Sequence, residues 1–199
     1  YESLEALKID GCAIKTIEMP LIEYALPVYY VIMPAEVSSN LARFDGVRYG
    51  FHEDGTTVLE DYGKTRGLGF GREAQRRIIL GTYVLSAGYH DAYYQKAITV
   101  QKLIRSDCEK VFKDVDVIAT PTSPTPAFKL GERLTDPLLM YLSDIFTVVA
   151  NIAGFPAISI PSGAVDREEK KLPLGLQLMA PHGREDVLFS IGKQFEEIR

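Results

Sequence analysis

Residues 137–153, Pro-Leu-Leu-Met-Tyr-Leu-Ser-Asp-Ile-Phe-Thr-Val-Val-Ala-Asn-Ile-Ala, are apolar on nearly every face when wound into a helix. A helix of that kind belongs in an interior, so the chain must supply layers around it. The following residues do so. Segments 157–162 and 174–179 read as strands joined by the charged turn 166–171, and the second alternates, with Leu174, Leu176 and Leu178 on one face. Proline at 137 suits a first helical turn, and Gly154-Phe155-Pro156 ends the helix. Strands separated by helices predict an α/β fold, a layered mixed sheet with flanking helices, rather than a bundle or a sandwich.

The rest of the chain carries the same punctuation. Residues 1–8 read as the end of a helix and 11–20 as a β-branched strand stopped by Pro20. After Pro27 comes a buried helix kinked at Pro34, then a glycine-rich stretch, 46–71, expected to be a long irregular excursion. Residues 72–87 form a helix with Gly88 as its C-cap, and 89–113 a longer one striped by Ala97, Ile104, Cys108 and Val111. A short buried strand at 115–120 empties into an irregular Pro-Thr-Ser-Pro-Thr-Pro run, and a helix over 184–198 finishes the chain.

With 199 residues and 46% hydrophobic content, one substantial core is available and nothing in the length demands two domains. The net charge of -5 argues against a dominant grip on nucleic acid, which needs clustered Lys and Arg. No apolar run approaches the ~20 residues of a membrane span, and Tyr1-Glu2-Ser3-Leu4 lacks a signal pattern, so a cytoplasmic or organelle-matrix location is expected. Cys12 and Cys108 are too few and too distant for a disulfide scaffold, and Cys108 reads as a buried thiol. His52, His90 and His182 are scattered without metal-ligand spacing, so no metal is expected. A start at Tyr1, inside a helix, reads as a fragment, a processed chain or a trimmed one.

Three places could carry chemistry. Asp144, Thr147 and Asn151 form a narrow polar stripe on the apolar 137–153 helix. A buried carboxylate needs a cation or several donors, so Asp144 faces a pocket, a partner Arg or solvent, with an internal salt bridge as the plain alternative. Arg77 shares a face with Ala74, Leu80, Gly81 and Val84, whereas Arg76 sits with Arg72 and Glu73 and looks more solvated. A planar guanidinium on an apolar face matches a carboxylate in a two-bond fork, although an Arg that buries its stem and pairs with a surface acid has the same pattern. Tyr29 and Tyr30, beside Pro27, are core residues by default. Other signals are weak. Gly67-Leu-Gly-Phe-Gly lacks phosphate-loop spacing, Pro121-Thr-Ser-Pro has hydroxyls with no flanking base, and Ser38-Ser39 reads as a helix-end feature.

The segment from Asn40 to Gly50, the Arg76-Arg77 helix, Thr120-Pro-Thr-Ser-Pro-Thr, Gly154-Phe-Pro-Ala and Gly175-Leu-Gln together resemble the amidase-signature family over essentially the whole chain. Phe44-Asp-Gly-Val-Arg-Tyr-Gly50 is the discriminating stretch, and it is similar to the A subunits of Glu-tRNA(Gln) amidotransferases. The resemblance implies the C-terminal portion of a single amidase-signature domain. It implies hydrolysis of glutamine to release ammonia, with which a partner subunit converts Glu-tRNA(Gln) to Gln-tRNA(Gln), and it leaves Asp-tRNA(Asn) open as a second substrate.

The family's catalytic Ser-Ser-Lys machinery is expected upstream, so no catalytic residue is assigned here and the 199 residues alone are expected to be inactive. Matching positions carry over as glutamine contacts: Arg77 for the α-carboxylate, Asp144 for the α-amino group through Tyr141-Leu-Ser-Asp144 and Asn151-Ile-Ala-Gly154, and Tyr29, with Tyr30 one residue away as the other choice. The implied partners are subunits B and C, with the mischarged tRNA held mainly by the partner subunit. The resemblance places ATP and Mg there too, and this chain binds no cofactor. A small-amide amidase without a tRNA partner and a noncatalytic assembly module are the competing readings.

Overall fold

The computed structural model describes residues 1–132 and 137–198. In chain order the elements are α1 (Glu2–Ile9), α2 (Ala25–Leu41), α3 (Val58–Gly69), α4 (Arg72–Leu85), α5 (Lys96–Val111), β1 (Ile118–Pro121), α6 (Pro137–Tyr141), α7 (Thr147–Ala153), β2 (Ala157–Arg167), β3 (Lys170–Met179) and α8 (Glu185–Glu197). The chain divides into two compact units, Tyr1–Leu26 with Val100–Arg199, and Pro27–Thr99. No helix among the described residues is long and apolar enough to cross a membrane.

The first unit is built on a sheet of order β1-β3-β2. Both pairings are antiparallel, so the parallel part of a mixed sheet is not found among the described residues. The predicted hairpin is present and longer than expected. Its strands run to a two-residue turn at Glu168 and Glu169, both at positive φ, the geometry that matches the strands' twist. The core gathers Leu7, Ile160, Leu176, Leu178, Leu188 and Phe195. Gly192 of α8 lets the helix lie close on β2, where a Cβ would already touch Ile160 Cγ2 at 3.5 Å. Phe112, just after α5, meets Phe155 edge to face at 5.1 Å between ring centres.

Two expectations in this unit are corrected. Residues 11–20 belong to no strand, since the ladders among the described residues join only β1, β2 and β3. β-branched residues favour an extended backbone but need a sheet edge to become a strand. The 137–153 helix is not continuous. It breaks after α6 into a 3-10 turn, Leu142–Asp144, before α7 begins. Only the second half is interior: Val148, Val149, Ile152 and Ala153 are buried, while Leu138, Leu139 and Ile145 are exposed. Gly154 at φ 75 closes α7 in the left-handed cap expected of glycine, its N–H donating to the Ala150 carbonyl.

In the second unit, Pro34 lies inside α2 as predicted. The glycine-rich 46–71 stretch is not all irregular, because α3 occupies its second half. The helix starts at Thr57, whose side chain accepts from the Glu60 N–H, an N-cap signal visible in Thr-x-x-Glu but obscured by the glycines that follow. Arg66 of α3 donates to the carbonyls of Leu41 at 2.9 Å and Phe44 at 2.7 Å, placing a cation on the open C-terminal end of α2. Gly46, at φ 75, is required by space as well, since a Cβ there would strike the Phe51 carbonyl. The helix read over 72–87 ends at Leu85, capped by Ser86 rather than Gly88. The following helix opens with a π-helical turn, His90–Gln95, before α5.

α2 and α4 meet at a glycine. A Cβ on Gly81 would fall inside the Pro34 carbonyl group and 2.8 Å from Ser38 Oγ. Helical Gly→Ala changes ordinarily gain about 1 kcal/mol from propensity. Here overpacking against backbone costs about 1–3 kcal/mol. Gly81→Ala is therefore expected to lower the melting temperature followed by circular dichroism, against the usual direction. A second expectation concerns Cys108, which is fully buried as predicted and whose thiol is pushed up to about 11, first by burial. The thiolate is the reactive form. In the native protein at pH 8, iodoacetamide should label the half-buried Cys12 and spare Cys108 until denaturant is added, read by peptide mass spectrometry.

Candidate functional site

Arg77 projects from the middle of α4, half-buried at 26% side-chain exposure. Its Nε donates to Glu73 Oε1 at 2.8 Å, one helical turn back, and its Nη1 donates to Met33 Sδ at 3.2 Å on α2. The guanidinium carbon stands 5.9 Å from the centre of the Tyr30 ring. Tyr29 lies near the same guanidinium. Burial works against the charge, but the hydrogen bonds and attraction of Glu73, with Tyr29 helping, outweigh it and hold the Arg77 pKa above its ordinary value. Arg77 is thus a permanent cation on an aromatic floor.

The predicted pair Arg77 and Tyr29 is therefore brought together. Both tyrosines stand by the guanidinium, Tyr30 with its ring face toward it. The two rings stand edge to face at 5.2 Å, which fixes them relative to each other. The room beside Arg77 does not come from Gly81, because the Pro34 carbonyl occupies it. Arg76, read as solvated, is exposed and pairs with Glu73 Oε2 at 2.6 Å.

Asp144 lies in the other unit, at the end of the 3-10 turn between α6 and α7. Its side chain is exposed, and it does not salt-bridge within a core. Among the described residues no hydrogen bond or ion pair engages its carboxylate. The stripe it heads is partly self-satisfied: Thr147 Oγ1 donates to the Asp144 carbonyl at 3.1 Å and Asn151 Nδ2 to the Thr147 carbonyl at 3.0 Å. Those two side chains serve their own helix and leave Asp144 as the member available to a ligand.

Sequence reasoning missed what holds that turn. Gln177, in the Gly175-Leu-Gln stretch, is buried, and its Nε2 donates to Thr120 Oγ1 at 3.1 Å and to the Phe146 carbonyl at 3.2 Å. A polar residue inside an otherwise apolar strand was the available signal.

The first unit also contains a cavity of about 930 Å³, lined in part by Thr122, Ser123, Ser159, Ser162 and Gly175. It holds neither Arg77, Tyr29 nor Asp144. Thr122 and Ser159 share a hydrogen bond of 2.7 Å, and among the described residues no His, Lys or carboxylate lines the space. Hydroxyls without a base are weak nucleophiles. A smaller one of about 270 Å³ in the second unit is walled by Phe44, Tyr49, Phe51 and Phe70.

A family model described as Amidase matches residues 1–189. The A subunit of the glutamyl-tRNA(Gln) amidotransferase of Clostridium botulinum (strain Okra / Type B1) is 53% identical over 98% of this chain, which covers 40% of that protein. The chain thus spans about 40% of the length of the curated relatives it matches. Among solved structures, the protein of the same name from Thermotoga maritima is 39% identical, with a TM-score of 0.63 over 98% of this chain and 35% of its own. A bacterial aryl acylamidase of the amidase signature enzymes is 14% identical, with a TM-score of 0.66 over 99% of this chain and 39% of its own, a likeness of fold alone.

Proposed function

The chain belongs to the amidase family, and we propose that it forms the glutamine-recognising part of the A subunit of a tRNA-dependent amidotransferase. In this reading the whole protein releases ammonia from glutamine, and a partner uses it to convert Glu-tRNA(Gln) to Gln-tRNA(Gln). The observation that carries the reading is the Arg77 arrangement, a charged guanidinium beside Tyr29 and Tyr30, in a chain half identical to relatives of that name.

Glutamine differs from a simple amide by an α-carboxylate and an α-ammonium, and a protein selecting it needs a cation for one and an anion for the other. Arg77 takes the carboxylate. Its charge-assisted bonds are directional. Asp144 takes the ammonium, its carboxylate exposed and engaged by no described residue. The nucleophile and its base come from the Ser-Ser-Lys segment of the family rather than from these residues. Subunits B and C complete the assembly. The net charge of -5 fits a chain that leaves the tRNA, ATP and Mg to a partner, in cytoplasm or an organelle matrix.

In the assembled amidotransferase, Arg77→Ala should raise the glutamine KM or lower kcat/KM by roughly tenfold or more, since a hydrogen bond to a charged group contributes about 1.5–3 kcal/mol. Asp144→Asn should act likewise without loss of folding. Ammonia supplied as nitrogen donor bypasses glutamine recognition, so both variants should amidate tRNA normally from ammonium chloride. Normal use of glutamine, or equal loss with both donors, would assign these residues a structural role. The purified 199-residue chain should release no ammonia from glutamine above a blank in a coupled dehydrogenase assay.

A further inference from the structure

We propose that Glu73 is a positioning residue for glutamine recognition, holding Arg77 by its Nε edge so that the Nη edge is the one presented to the substrate carboxylate. The inference rests on the glutamine reading above and adds what orients the cation. A guanidinium offers two forks, and a carboxylate that took both Nε and Nη would consume one of them. Glu73 does not do this. Its Oε1 accepts from Arg77 Nε at 2.8 Å, while Oε2 turns to Arg76 Nη1 at 2.6 Å. The Nε edge of Arg77 is thus held by a carboxylate, while its Nη edge is not spent on a strong acceptor.

What that edge touches supports the assignment. Nη1 donates to the Met33 thioether, a weak acceptor that a carboxylate oxygen readily replaces. Tyr29 lies near the same guanidinium, and a tyrosine hydroxyl can donate to an incoming carboxylate. The Tyr30 ring limits movement on the other side. Without the Nε tether the plane of the guanidinium would turn freely about a flexible stem, and the Nη edge would lose its fixed direction.

The opposite role is physically possible, and it predicts the opposite sign. If Glu73 competed with the substrate carboxylate, or acted only through its charge, removing it would tighten binding. The experiment measures glutamine and ammonia kinetics in the assembled amidotransferase for Glu73→Gln, Glu73→Ala and Arg77→Ala. Positioning predicts a glutamine KM that rises in the order wild type, Gln variant, Ala variant, by about tenfold for Ala, because the amide oxygen of Gln still accepts from Nε. kcat should hold and the ammonia reaction should stay within about twofold. A KM at or below wild type in both Glu73 variants overturns the proposal, as does equal loss with both donors. Should the Ala variant fail to fold, the Gln variant decides alone, since charge competition and positioning move its KM in opposite directions. Arg77→Ala separates the two levels: no change there sinks the glutamine reading itself, whereas a raised KM there with unchanged Glu73 variants sinks only the role of Glu73.

Discussion

The second unit depends on how closely α2 can approach α4. At Gly81 no side chain intervenes, and the Pro34 carbonyl sits where a Cβ would be. Both residues act through what they lack. Proline has no N–H to give to the carbonyl one turn earlier, that of Tyr30, and glycine has no Cβ to hold the neighbouring helix away. The same contact sets the site. Arg77 lies one turn before Gly81, Met33 directly precedes Pro34, and Tyr29 and Tyr30 lie one turn before that, so the residues around the guanidinium are placed by the packing point itself. The precision of this arrangement originates in backbone against backbone, which is stiffer than any pair of side chains.

In the first unit the corresponding constraint is the break between α6 and α7. A straight helix over 137–153 would carry Asp144 on a surface otherwise made of leucine, isoleucine and valine, and an unpaired carboxylate buried there costs several kcal/mol. The 3-10 turn removes the conflict by ending the regular ladder at the acidic residue, which stays exposed while Val148, Val149 and Ile152 go inside. Gln177 then ties the Phe146 carbonyl to the sheet. A polar amide in the middle of β3 is retained because it bonds at two places at once, and an apolar residue of the same size would bond at neither.

Where local chemistry decided the outcome, it was legible in the sequence. Gly154 as a left-handed cap, Pro34 inside a helix, Cys108 in an interior and the alternating leucines of β3 all follow from steric or burial preferences of single residues. The helix α3 was hidden because glycines at 63, 67 and 69 argue against a helix more loudly than the Thr57-x-x-Glu60 cap argues for one, although in the fold the cap and the Arg66 contacts prevail. Residues 11–20 failed as a strand because strand identity depends on a neighbour that sequence pattern cannot supply. The candidate site divides the same way. Arg77 was visible as a cation on an apolar face, but its pairing with Glu73 was not: Glu73 groups by spacing with Arg72 and Arg76 as a solvated face, and only the geometry shows one carboxylate shared between adjacent arginines.

That sharing explains why the position calls for arginine. A lysine ammonium is a point charge whose three donors turn together, so engaging Glu73 would rotate the remaining donors without fixing any of them. A guanidinium separates the tasks, because its Nε and Nη donors are held rigidly in one plane and point in different directions. At Arg77 the first is anchored to its own helix and the second is left beside a thioether on α2. Burial works against the charge at Arg77, but the hydrogen bond and attraction of Glu73 outweigh it and hold its pKa above the ordinary value. A group that is planar, permanently charged and tethered at one edge offers an anion a direction as well as an attraction.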